Sequence, residues 1–190
     1  RTHNIGYYNM DLDSAVQTRA ESILTNYTMA AMLAAICDAD AAIAQDVESD
    51  IDATIEAIQT ATTIIGLAND CGSILLRSDV NTLQKIISDH KATELTGTEF
   101  REMLREKRLL NLAKRGKLPK QHIPLYTLIK DADKGEPNLV FDLRFNQRGG
   151  LSKNLVDLSE RFQGLEAKLS RQLVNLHSCR LNFASNPWKR

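Results

Sequence analysis

Leu155, Leu158, Phe162, Leu165, Leu169 and Leu176 recur at the spacing of one helical turn, with Leu173 filling one step. Only an α-helix gathers such a series onto one side, because a turn takes about 3.6 residues. The same spacing joins Ile51, Ile55, Ile58, Thr62 and Ile65, and earlier Val16, Ala20, Ile23, Leu24, Tyr27, Ala30, Ala31 and Leu33. Breakers are scarce, with 9 Gly and 4 Pro in 190 residues. That scarcity favours long helices over a many-turned β fold. The expected fold class is all-α, a helical bundle. Residues 1–190 form a single helical domain or the carboxy-terminal part of a larger one.

Caps and breakers set the expected boundaries. Ser14 can cap a helix from Ala15 that becomes apolar nearly all round by Met32 to Ile36, the pattern of a central helix. Ser49 or Asp50 can cap a second helix, whose pattern continues past Asn69 to about Arg77. A third runs from Asp79 or Val80 to His90. Thr98 can cap a fourth, Glu99 to Arg115, which Gly116 and Pro119 stop. Residues 117–150 hold Pro119, Pro124 and Pro137 and read as an irregular connecting segment. Leu139-Val140-Phe141 within it is strand-like but too short and solitary for a sheet. The last helix starts near Ser152 and runs to Leu181.

Charge and cysteine usage narrow the function classes. Lys+Arg and Asp+Glu both number 24, giving zero formal net charge, whereas a dedicated nucleic-acid binder carries a basic excess. The longest apolar run is Met29 to Ile36, far short of the roughly 18 residues of a membrane span. Three cysteines, Cys37, Cys71 and Cys179, contain no CxxC pair. They make neither a disulfide framework nor a zinc site, and they fit a reducing, cytoplasmic compartment. His3, His90, His122 and His177 show no metal-ligand spacing. Residues 1–60 carry ten acids against Arg1 and Arg19, whereas residues 101–120 carry eight bases, Lys107 among them, against Glu102 and Glu106. The basic helix is either a solvated face or an attractor of anions.

Chemistry is concentrated in Thr62 to Arg77. Positions 65, 69, 73 and 77 are four apart, so on one continuous helix they share a face. The apolar stripe turns polar there, through Asn69, Ser73 and Arg77. Asn and Ser supply neutral oxygens of the kind Mg²⁺ accepts beside substrate phosphates, and Arg77 can hold a phosphate.

Asn69, Asp70, Gly72 and Ser73 resemble the second metal-binding motif of class I terpene synthases, Asn-Asp-x-x-Ser/Thr-x-x-x-Glu. The resemblance covers about Ser22 to Asp79 and includes a preceding apolar helix with a tyrosine, Tyr27. It implies an all-α fold, Mg²⁺ as cofactor, a prenyl diphosphate as substrate, and ionisation of that diphosphate followed by carbocation cyclisation. Asn69 and Ser73 match the first two metal ligands. Arg77 stands where the third ligand, a carboxylate, is expected, and Asp79 is the nearest replacement. Asp70 matches a motif residue that is generally not a ligand. Arg77, Arg105 and Arg108 are the candidate diphosphate contacts, and Tyr27, Met29, Met32 and Ile65 the candidate substrate-pocket residues. No Asp-Asp-x-x-Asp motif occurs. Arg19 is the one arginine on the preceding helix, and Arg144-Phe145 and Arg161-Phe162 are the nearest approaches to the family's late Arg-Tyr pair. The first residue is Arg1 rather than Met, which fits a processed or partial chain. A missing amino-terminal portion, or a different chain, would then supply the aspartate-rich helix; a homo-oligomer is the other expectation for partners. The alternative is a non-enzymatic helical protein-interaction module, using the basic helix 99–115 and the leucine seam 155–176.

Overall fold

The computed structural model describes residues 7, 10–22, 25–40, 44–45, 48, 50–106, 108–144 and 147–184. Among the described residues all regular structure is helical, as the spacing of apolar residues requires. Chain order begins with α1 (Leu12–Ser22), α2 (Thr25–Ala39), α3 (Ile51–Cys71) and α4 (Ser73–Leu76). It continues with α5 (Val80–Asp89), α6 (Gly97–Glu106), α7 (Leu109–Lys114) and a 3-10 turn, Lys120–Leu125. It ends with α8 (Tyr126–Lys134), α9 (Leu139–Asp142) and α10 (Gly150–Ala184). No helix among the described residues is long and apolar enough to cross a membrane.

α3 is the axis of the bundle. α10 runs antiparallel along it: Ser159 donates to the Leu76 carbonyl at 2.9 Å, while Lys168 reaches Glu56 at 2.7 Å near the opposite end. α1 and α2 pack on α3 as well. A Cβ on Gly66 would lie 3.4 Å from the Ala20 Cα, so a glycine on α3 lets α1 approach at backbone range. Leu67, Leu75, Leu76, Phe100, Leu104, Leu128, Phe141, Leu158 and Phe162 fill the main core.

Local rules explain where the boundaries differ from the sequence reading. α1 starts before Ser14, because Asp11 is its cap: the carboxylate accepts from Ser14 N–H at 2.9 Å and from the Ser14 hydroxyl at 2.7 Å. The helix expected from Ala15 to Ile36 is two, α1 and α2. Ile23, Leu24, Ser49 and Lys107 lie outside the described residues. α6 is capped by Thr96 and not Thr98. Glu99 N–H donates to the Thr96 hydroxyl at 3.2 Å and Thr96 N–H to the Glu99 carboxylate at 2.7 Å, a reciprocal capping box. The expected helix 99–115 is broken at Arg108, whose φ of 48° is left-handed, and resumes as α7. Residues 117–150 hold a 3-10 turn, α8 and α9. The strand-like Leu139-Val140-Phe141 is a helical turn buried on all sides. α10 follows its seam closely, beginning at Gly150.

Backbone contact is tightest at Gly97. A Cβ there would stand 1.9 Å from the Phe141 carbonyl oxygen and 2.7 Å from its carbon. Backbone atoms cannot swing aside, so α6 and α9 must separate. Gly97→Ala is expected to cost at least about 3 kcal/mol. Gly164 on α10 has open space around its Cβ position, so Gly164→Ala is expected to gain about 0.5–1 kcal/mol from helix propensity. Urea unfolding of the two variants beside the parent checks both signs.

Candidate functional site

The motif helix stops where the sequence pattern continues. α3 ends at Cys71, and Gly72 takes φ 81° and ψ 132° before Ser73 opens α4. Positive φ is cheap only for glycine. The face expected at 65, 69, 73 and 77 is therefore interrupted between its second and third members. Asn69 is exposed on the last turn of α3, and Ser73 lies half-buried beyond the break. Asp79 caps α5, its two oxygens accepting from Thr82 N–H at 3.0 Å and from the Thr82 hydroxyl at 2.7 Å. Arg77 is engaged by Glu166 of α10 at 2.5 Å and sits over the Phe162 ring. Arg105 pairs with Glu102 one turn away at 2.8 Å. Arg108 is exposed at the break between α6 and α7. Among the described residues no three His, Cys, Asp or Glu side chains come together as a metal-ligand group.

Asp70, rather than Asn69, is the buried member of the motif. Its carboxylate has no exposed surface. Oδ1 accepts from Arg19 Nε of α1 at 2.6 Å, and Oδ2 accepts from Leu139 N–H of α9 at 3.1 Å. The Asp70 carbonyl accepts from the Asn138 amide at 2.7 Å, and that amide also donates to Asp131 at 2.8 Å. Asn138 N–H donates to Asp142 at 2.9 Å, and Arg101 donates to the same carboxylate at 3.1 Å. The cluster ties α1, α3, α6, α8 and α9 together. Burial pushes the Asp70 carboxyl up to about 6, against the opposing pull of Arg19 and the Leu139 N–H. Burial also raises Asp131 and Tyr7. The Cys71 thiol, next in sequence, is buried, and burial pushes it well above its ordinary range.

A second buried polar pair escapes sequence spacing. His90 and His122 are 32 residues apart, yet their rings face each other with Nε2 of His90 2.9 Å from Nδ1 of His122. His90 Nδ1 lies 2.9 Å from the Ile86 carbonyl, which can only accept. In the neutral pair His90 therefore donates there, and its Nε2 receives the proton of His122. The side chain of His177 and that of Cys179 lie outside the described residues, as does His3.

An apolar opening lies elsewhere on the bundle. Met29, Met32 and Leu33 of α2, Thr54, Ala57, Ile58 and Ala61 of α3, and Leu169, Leu173 and Leu176 of α10 line a cavity of about 370 Å³. It is open to solvent. α3 is its floor, with the small Ala57 and Ala61 one turn apart, while α2 and α10 form walls that do not close over it. Two of the four expected pocket residues, Met29 and Met32, are here. Tyr27 is 74% exposed and lines a separate open apolar hollow along α2 with Met32, and Ile65 is 44% exposed and does not line the groove. The leucine seam explains the opening. Leu155, Leu158 and Phe162 are buried, but beyond Leu165 the seam faces the groove, and Leu173 is 54% exposed. Leu33, Ala57, Ile58 and Ala61 were not separable from ordinary core by their spacing.

The raised carboxyl of Asp70 fixes the sign of a pH effect. The unfolded chain holds this group near 3.8 and the folded one near 6, so folding takes up a proton between those values. Its contribution to stability is fully present below about pH 4 and is lost as pH rises through 6. Relative to Asp70→Asn, the parent is expected to gain on the order of 2 kcal/mol as pH falls from 7.5 to 4.5. Urea unfolding at both pH values measures this difference. Because the carboxylates of Asp11, Asp79 and Glu99 are lowered by their capping bonds in both proteins, the comparison cancels their opposite slope. Parallel pH profiles would remove Asp70 as the source.

Comparison with protein-family models, with curated proteins and with solved structures returned no match to this chain.

Proposed function

We propose that this chain is a non-enzymatic helical interaction module that receives an amphipathic helix of a partner in the groove between α2, α3 and α10. The carrying observation is the unfinished half of the leucine seam. Three helices present apolar side chains to one open slot, the arrangement of a four-helix bundle lacking one member. Helix-in-groove recognition needs this shape: large side chains on the walls and small ones on the floor, meeting anchors at i, i+3, i+4 and i+7. Met29 and Met32 suit such a role, because unbranched thioether chains repack around different anchors.

The interaction module is preferred to the Mg²⁺ and prenyl diphosphate reading on the placement of side chains. The groove would accept an apolar chain, and Met29 and Met32 line it. Asn69, Ser73 and Asp79, however, sit on three separate elements, α3, α4 and the cap of α5, and the Asp79 carboxylate is already engaged by Thr82. The nearest arginine, Arg77, is paired with Glu166. The basic helix of the alternative is two short helices whose apolar faces are spent on the core through Phe100, Leu104, Leu109 and Leu110, so the seam carries the reading and the basic helix does not.

A fluorescein-labelled amphipathic peptide with leucines at i, i+3, i+4 and i+7 tests the groove by anisotropy. Binding with Kd on the order of 1 to 10 μM is expected, and Leu173→Asp, a change at an exposed position, is expected to abolish it. Thermal scans with Mg²⁺ plus pyrophosphate are expected to show no shift. A joint shift that disappears in the Asn69→Ala, Ser73→Ala double variant would restore the synthase reading.

A further inference from the structure

We infer that the helix received by this groove is cationic. The inference rests on the groove reading above and adds the chemistry of the partner. No lysine or arginine occurs between Arg19 and Arg77, a stretch containing all of α2 and α3. Both the floor and one wall of the groove are therefore built from sequence without a positive charge. The acids in that stretch are not spread evenly. Asp38, Asp40, Asp46, Glu48, Asp50 and Asp52 fall within the end of α2, the connection and the first turn of α3.

The fold brings the end of α2 and the start of α3, with Asp38 and Asp52, to one end of the groove. Met29 lies beside Thr62, its sulfur 3.6 Å from the hydroxyl, and Leu33 shares the groove with Ala57 and Ile58. α2 thus runs antiparallel to α3, and the end of α2 lies beside the start of α3 at one end of the slot. α10 approaches the same end, since Lys168 reaches Glu56 and Leu176 lines the groove beside Thr54. Lys168 is neutralised by that contact, which leaves Arg171 as the next base on the α10 side. Asp38, Glu48 and Asp52 are exposed. An incoming helix with lysines or arginines flanking its apolar face meets opposite charge there, and an acidic one meets like charge. Such complementarity acts on partner choice and on association rate. A second copy of this chain is a poorer occupant, because its own α2–α3 face is acidic too.

Two synthetic amphipathic peptides with the same leucine face, one carrying lysines and one glutamates on the polar face, decide the matter. Titrations use the full chain at low salt and at about 0.5 M salt. The lysine peptide is expected to bind at least about tenfold more tightly at low salt. High salt is expected to shrink that advantage. The triple variant Asp38→Asn, Glu48→Gln, Asp52→Asn is expected to remove most of it. Equal binding of both peptides, abolished by Leu173→Asp, would overturn the cationic partner and leave the groove reading standing. Binding of neither peptide would overturn both. A concentration-dependent dimer in sedimentation, lost in Leu173→Asp and displaced by neither peptide, would make a second copy the occupant and likewise overturn the inference.

Discussion

A single turn of helix buried in the middle of this protein has to find partners for its peptide groups, and the rest of the structure is arranged around that demand. α9 is too short to satisfy itself. Asp70 accepts its Leu139 N–H and the Asn138 side chain accepts its Val140 N–H at 2.9 Å. At the other end the Asn154 amide of α10 donates to the Val140 and Leu143 carbonyls. Arg144 in turn holds Asn154 and Asp157 at 3.0 Å. An unpaired buried peptide group costs roughly 1–3 kcal/mol, so each of these side chains is worth more for what it prevents than for the bond it makes. The break at Gly72 belongs to the same requirement. It ends α3 just after Asp70 and lets α4 turn toward α10.

This demand accounts for the motif at the end of α3. In sequence, Asn69 and Asp70 look equally able to face a ligand. In the folded chain one is exposed and the other is the hub of a polar cluster with all its oxygens occupied by neighbouring elements. A buried carboxylate with an arginine partner, a raised affinity for protons and several hydrogen bonds has the chemistry of an active site. It also has the chemistry of a joint between packed helices, and the partners found here, backbone groups of α9 and the capping Asn138, are those of a joint.

Periodicity made the long helices readable before any coordinates, because burial of one stripe leaves a trace every three or four residues. The all-α class, α5 and α10 came through on that basis. Three kinds of feature did not. The stop at Gly72 depends on a backbone angle, and a glycine inside a helical pattern does not announce it. α9 is buried on every side, so its residues show no alternation to separate turn from strand. The meeting of His90 with His122, and of Arg19 with Asp70, depends on which helix lies against which. The seam from Leu155 to Leu176 was visible as one stripe, yet its two halves have different fates. Nothing in the spacing of leucines tells a covered position from an open one. The sign that α2 was left uncovered was the absence of charge from Thr25 to Cys37, which reads equally as the mark of a central helix.

α10 is one unbroken helix of 35 residues, about 52 Å from end to end. Its first half is clamped in the core by Leu158 and Phe162, and its second half is the free wall of the groove. A rod held at one end is a lever. From Phe162 to Leu176 is about 21 Å, so a rocking of five degrees or so about the clamp opens or narrows the slot by roughly 2 Å, the difference between a floor that admits alanine and one that admits leucine. The same rocking pulls on Ser159 and Gln163, which hold the Leu76 carbonyl, and on Glu166, which holds Arg77. A change in the width of the slot and a load on the joint at the other end are thereby a single mechanical motion.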